Sequence, residues 1–275
     1  MSSFRIRSNI VSANAQRNLT DVNGSFSKSM DRLASGKRIT SAADDAAGLS
    51  IANKMRSDIR SLGVAGRNIT EANSVLQIAE GSANGLVGIL ERLKELAMQS
   101  ASSNAGTQRG TLDAEFQAQK DEIDRVVDAT NYMGINLLDG SFDGVFQIGP
   151  ENDPSSQLEV DLSGVILSTA GLDIDTLDIL DQVDAQNALT DIDAALDDVN
   201  AALGDIGAYM NRLSSAHESV ITAEINLQAS ESVIRDVDIS AEITEFSKYQ
   251  VLQQVGASML ASANAAPQSV LTLLQ

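Results

Sequence analysis

The chain has 275 residues, with 38 acidic and 19 basic side chains, a net charge of -19, a single His, and no Cys or Trp. Without Cys there is no disulfide framework, thiolate zinc site, iron–sulfur site or cysteine nucleophile, and one His excludes a multi-His metal site. The negative charge argues against non-specific binding to nucleic acid or to anionic membrane. With only 3% aromatic residues, the composition suits long helices packed through Leu, Ile, Val and Ala rather than a large globular core.

From the N-terminus, MSSFRIRSNIV carries two Arg but no apolar run after them, so no cleaved secretory signal is predicted. Ala15, Leu19, Val22, Phe26, Ser29 and Leu33 then alternate steps of four and three, the spacing of one helix face. Ser41-Ala42-Ala43-Asp44 reads as a capping box opening a helix over 44–101. In that helix, steps of seven give Met55, Leu62, Ile69, Leu76, Ala83, Leu90 and Ala97. A companion row runs through Asp58, Ala65, Ala72, Ala79, Leu86, Leu93 and Ser100. The Ala-rich middle predicts close helix approach. A loop, ASSNAGTQRG (101–110), separates it from a third helix over 111–129 carrying Leu112, Phe116, Ile123 and Val127.

The middle changes character. Asp-Gly pairs at 139–140 and 143–144, Pro150, Pro154 and β-favouring runs predict short strands near 135–138, 145–149 and 157–162. The stretch 163–182 reads as an acidic, Gly-containing linker.

The longest apolar repeat follows. Leu189, Ile192, Leu196, Val199, Leu203, Ile206, Met210, Leu213, His217, Val220, Glu224, Leu227, Glu231 and Ile234 keep a 3.5-residue period. A strand cannot produce that spacing. It predicts a helix over 183–233, on the order of 75 Å long at 1.5 Å per residue. A last stripe, Ile243, Phe246, Tyr249, Leu252, Val255 and Met259, marks a C-terminal helix. Residues 249–275 carry no charge but are rich in Gln, Ser and Asn, and no run of about 20 apolar residues predicts a membrane span. Each end is one helix with an apolar side and too little core to fold alone, so both are expected to order when copies assemble.

Charge is segregated. Residues 1–140 balance 16 acids with 16 bases, whereas 141–205 holds 15 acids and no Lys or Arg. The first 60 residues hold 10 bases against 5 acids, so an electropositive N-terminal part and an acidic later part are expected to attract each other within or between copies.

No catalytic constellation or cofactor motif is evident. His217 lies on the helical seam and reads as a packing residue. Asp173/Asp175, Asp191/Asp193 and Asp197/Asp198 lack the loop of a calcium site and read as solvated faces. The sequons at Asn18, Asn23 and Asn68 fall in helices and read as unmodified.

Four long segments resemble bacterial flagellin, in order along nearly the whole chain. They are LASGKRITSAADDAAGLSIANKMRSDIRSL (33–62), GILERLKELAMQSAS (88–102), DEIDRVVDATNYMGINLLDG (121–140) and NLQASESVIRDVDISAEITEFSKYQVLQQVGASMLASANAAPQSVLTLL (226–274). The resemblance implies a mainly α fold of long antiparallel coiled-coil helices with a small β-hairpin region and paired terminal helices. It assigns 1–43 and 232–275 to a filament-core coiled coil, the first including a spoke. Residues 44–133 and 183–231 would form the helical domain, and 134–182 a surface-facing hairpin and acidic linker. Large outer domains are expected to be missing.

The resemblance also implies a structural, non-enzymatic subunit of an extracellular filament, exported unfolded by the flagellar type III apparatus. Its partners would be other copies, the filament cap, junction proteins and an export chaperone. No cofactor, nucleic acid or membrane insertion is implied. Core packing would fall to Leu19, Val22, Phe26, Leu33, Ile243, Phe246, Leu252, Val255 and Met259. Arg92, Leu96, Gln99 and Glu115 match the family surface that meets a neighbouring subunit or, in monomers, the vertebrate Toll-like receptor for flagellin. Glu91, Lys94 and Gln119 depart from the usual residues there. Alternative readings are a hook–filament junction protein and a secreted acidic binding module.

Overall fold

The computed structural model describes residues 9–272, with side chains described to 266. Its helices are α1 (Ile10–Ser35), α2 (Ala46–Ala101), α3 (Arg109–Ala129), α4 (Gln182–Arg235) and α5 (Ile239–Thr272). Four short strands, β1 (Asn131–Tyr132), β2 (Ile135–Asn136), β3 (Asp143–Gln147) and β4 (Gln157–Asp161), lie between α3 and α4. The mainly α class is therefore as the sequence predicts, with paired terminal helices and only two small antiparallel hairpins. The chain divides into two compact units: one from residues up to 57 and from 226 onward, the other from 58–225.

In the first unit α1 and α5 run antiparallel. Asn9 Nδ2 donates to the Ala263 carbonyl at 2.8 Å, Phe26 stacks on Phe246 at 4.8 Å, and Ser29 Oγ bonds the Glu242 carboxylate. Asn9 caps α1 by accepting from Ser12 N, and Gly36, in the left-handed region (φ 68°), ends it. The chain breaks after α1 and after α4 face each other: Arg38 N donates to Arg235 O at 2.7 Å, and Val237 N to Gly36 O at 3.1 Å.

The expected capping box takes another form. Asp44 accepts from the backbone and hydroxyls of Thr40 and Ser41, which holds the preceding turn rather than the helix. The cap of α2 is Asp45, whose carboxylate accepts from Gly48 N at 2.9 Å. The donors on Asp44 hold its carboxyl at about 2, the Thr40 hydroxyl bond being the largest cause.

In the second unit, both predicted rows of α2 from Leu62 to Ser100 are buried. Lys94, paired with Asp193, and Gly66, beside His217, set α4 antiparallel to α2. The α4 seam is shifted from the predicted one. Ile192, Val199, Ile206, Leu213 and Val220 are buried as expected, but their companions are Ala185, Ala188, Ala195 and Ala202. Leu189, Leu196, Leu203 and Met210 lie on the half-buried flank. Small side chains take the centre because they permit the closest backbone approach, and the larger Leu side chains cover the sides.

α3 buries Phe116, Ile123 and Val127 as predicted, and also Lys120. Of the predicted strands, 145–149 and 157–162 correspond to the β3–β4 hairpin, which pairs Asp143 with Asp161 through to Gln147 with Gln157. The third is reduced to Ile135–Asn136, because Leu137 and Leu138 turn inward and are fully buried.

The acidic stretch 163–181 is a packed strap rather than a loose linker. Val165, Leu167, Leu172, Ile174 and Ile179 are buried. One stripe of α3 ties down its backbone. Asp124 accepts from Thr169 N (2.8 Å) and Oγ1 (2.7 Å), and Asp113 accepts from Ile179 N at 3.0 Å. Lys120 Nζ donates to the carbonyls of Asp175 (2.7 Å) and Leu177 (2.9 Å). Burial pushes the Lys120 amine below its ordinary value, against the pull of Asp175 and Asp113.

Candidate assembly and recognition surfaces

The first surface lies on the α1/α5 pair. A heptad stripe needs a partner face, and α1 puts its predicted stripe, Ala15, Leu19, Val22, Phe26, Ser29 and Leu33, toward α5, half-buried or better. α5 answers with a different set. Phe246 and Tyr249 face the seam, followed by Gln253, Gly256, Leu260 and Ala263. A Cβ on Gly256 would stand 3.1 Å from Leu19 Cδ1, so glycine admits the leucine there. The other predicted α5 residues stay outside: Ile243, Leu252, Val255 and Met259 are 50%, 41%, 51% and 63% exposed. An open groove of about 460 Å³ runs between the helices, lined by Val11, Leu19, Val22, Leu252, Val255 and Met259 among others. Apolar side chains at that density on a highly charged protein mark a face that meets another surface.

The second surface lies where α2 meets α3. Arg92 donates through Nε (3.1 Å) and Nη2 (2.6 Å) to Glu115 Oε1, and through Nη1 (2.8 Å) to Glu95. The two carboxylates, Glu115 foremost, raise the guanidinium further above its ordinary value. Arg92, Gln99 and Glu115 are exposed. Leu96 is only 1% exposed and belongs to the core beneath them, so the fold brings three of the four sequence-selected residues to one surface.

Other sequence candidates resolve structurally. His217 is half-buried on α4, with its Nδ1 enclosed and without a hydrogen-bond partner. Asn68 donates to the Gln147 carbonyl at 2.9 Å. Among the described residues no group of three His, Asp or Glu could hold a metal ion, and no helix is long and apolar enough to cross a membrane. The polar stripe of α3 escaped sequence reading because Lys120 and Asp124 look like ordinary exposed helix residues. The alternation Val165, Leu167, Leu172, Ile174 in the strap was the available signal.

Comparison with known proteins bears on the chain as a whole. Residues 6–143 match the bacterial flagellin N-terminal helical region, and 189–274 the C-terminal helical region. A flagellin from Halalkalibacterium halodurans is 40% identical over 272 residues, covering 98% of this chain and 99% of its own. A flagellin from Bacillus subtilis is 35% identical over 310 residues, covering 99% of this chain and 100% of its own. A solved chain from Vibrio parahaemolyticus, provisionally described as a flagellar hook-associated protein, shares the fold at 13% identity with a TM-score of 0.57, covering 70% of this chain and 99% of that one. Two family regions in the right order and near-full-length relatives decide the matter: the chain belongs to the bacterial flagellin family and is a structural subunit of the flagellar filament.

Proposed function

We propose that the chain leaves the cell unfolded through the flagellar type III apparatus and adds to a growing extracellular filament beneath its cap. Paired terminal regions, 1–43 and 232–275, line the filament core. Residues 44–133 and 183–231 form the surrounding helical layer, and 134–182 faces outward. The observation that carries this reading is the uncovered apolar face of α5, Ile243, Leu252, Val255 and Met259, beside its open groove. Covering side chains that start about half exposed yields roughly 1 kcal/mol each, and repeated contacts offset the ordering of the ends. A head-to-tail contact that does not close on itself produces a helical filament rather than a ring. Family membership supports a structural rather than an enzymatic role. Junction proteins and an export chaperone complete the set of partners. The test is seeded growth followed by electron microscopy. The intact chain extends seeds into thin, smooth filaments, whereas a chain ending at residue 239 stays folded and monomeric. Polymerisation of the truncated chain would overturn the reading.

A second surface supports a second role. The exposed Arg92–Glu115 pair, with Gln99 one helical face along, fits recognition of the monomer by the vertebrate Toll-like receptor for flagellin. The same residues would be covered by a neighbour in the filament. Arg92→Ala in a receptor reporter assay tests it, because Leu96→Ala would damage the core instead. Unchanged signalling from monomers would remove this role.

A further inference from the structure

In the first unit two guanidinium groups meet at a single carboxylate oxygen. Glu231 Oε1 accepts from Arg56 Nη2 at 2.5 Å and lies 3.6 Å from Arg235 Nη1. Arg38 sits within one turn, donating through Nη2 to the Ile234 carbonyl at 2.6 Å. Arg235 is the anomaly. Its side chain is only 12% exposed, and its Nε and Nη1 are enclosed with no hydrogen-bond partner. Enclosed guanidinium donors without an acceptor are costly; Glu231, one helical turn back on α4, stands in ion-pair range of Arg235 Nη1 but takes its hydrogen bond from Arg56.

Arg56 is the accessible member, 33% exposed, and Arg38, bonded to the Ile234 carbonyl, is exposed as well. A carboxylate arriving from outside can therefore reach Arg56 but not Arg235. If it takes Arg56, Glu231 is released to close on Arg235, and both the newcomer and the orphaned donors gain charge-assisted bonds. The protein carries the matching charge: 141–205 holds 15 acids and no base, and Asp197, Asp198 and Asp205 are exposed on α4.

We propose that Arg56 is a docking point for an exposed α4 carboxylate of a second copy, Asp197, Asp198 or Asp205, and that docking passes Glu231 from Arg56 to Arg235. The inference rests on self-assembly, and it explains why an ion cluster with one carboxylate too few is kept at the turn between α4 and α5. The exchange makes Arg235 a positioning residue: it acts through Glu231 and meets nothing on the neighbour.

The test compares the intact chain with Arg56→Gln, Arg235→Gln and the double variant, in seeded polymerisation and in monomer unfolding. Arg56→Gln should leave monomer unfolding unchanged, because Glu231 turns to Arg235, yet raise the critical concentration roughly tenfold, the size of a lost interfacial charge pair of about 1.4 kcal/mol or more. Arg235→Gln should also raise it, and the double variant should be no worse than Arg56→Gln alone, because the two act through one exchange. Arg56→Lys, which keeps the charge on a different head group, serves if the Gln variant fails to fold, and should also raise it. An unchanged critical concentration with Arg56 replaced would overturn the docking, and additive effects would overturn the exchange. Saturable binding of inorganic phosphate by the wild-type monomer, abolished in Arg56→Gln without effect on polymerisation, would assign the cluster to a free anion instead. Failure of the wild-type chain to extend seeds would remove the assembly reading as well.

Discussion

The α2/α4 seam and the α1/α5 seam use the same heptad grammar and end in opposite states. Along α2 the two rows from Leu62 to Ser100 are buried, and α4 answers with Ala185, Ala188, Ala195 and Ala202 between its Ile and Val residues. Along α1/α5 the contact contains Ser12, Ser29, Gln253 and Gly256, most positions are half-buried, and four large apolar side chains of α5 remain outside. The first seam is finished within one chain, with α3 and the strap supplying further cover. The second has two helices where two faces still need partners. A completed seam gives stability. An incomplete one gives association, because its remaining apolar area is removed from water only when copies meet.

The sharpest way to break that comparison is to charge the open face. Leu252→Asp with Val255→Asp should leave monomer unfolding within about 0.5 kcal/mol, since both side chains are already exposed, and should abolish seeded growth. A large loss of monomer stability would mean that the two seams are alike after all. Closed seams should respond in the other sense. Leu90→Ala, at a fully buried position, should cost about 2–5 kcal/mol in urea unfolding, with any effect on growth following from that loss.

Smaller effects sharpen the picture of what closes the second unit. Lys120→Met removes the donor to two strap carbonyls and should cost about 1–3 kcal/mol, with faster amide exchange concentrated between Asp175 and Ile179. Uniform exchange across the unit would show that the strap is held by its buried Ile and Leu alone. Least in size is the Asp44 turn. Its folded value of about 2 lies below the ordinary 3.8, so its contribution is present above about pH 4 and is lost as pH falls through about 2. Asp44→Asn should lower stability at neutral pH, flatten acid unfolding in that window and change little below about pH 2.

Much of this was legible in the residues. The α2 rows could be named in advance because period and burial coincide when a helix is covered on one side by another. α1 was equally readable. α5 was readable in part: Phe246 and Tyr249 take the intrachain seam, whereas Ile243, Leu252, Val255 and Met259 of the same stripe stay outside it and Gln253, Gly256 and Ala263 complete it. Hydrophobicity ranks faces without saying which partner covers each. Leu96 shows the same gap, since its motif position marks a surface while α3 places it in the core.

The sequence by itself determined the mainly α class, the extents of α2 and α4 to within a few residues, the β3–β4 hairpin, the acidic bias of the outer stretch and the family. All of these follow from periodicity, turn chemistry, charge count or long local motifs. Only the tertiary structure decided the phase of the α4 seam, the strap on α3, the cap at Asp45 and the Arg56–Glu231–Arg235 cluster. Each of those depends on groups far apart in the chain competing for one partner, and that competition is settled by packing distance, which no local pattern encodes.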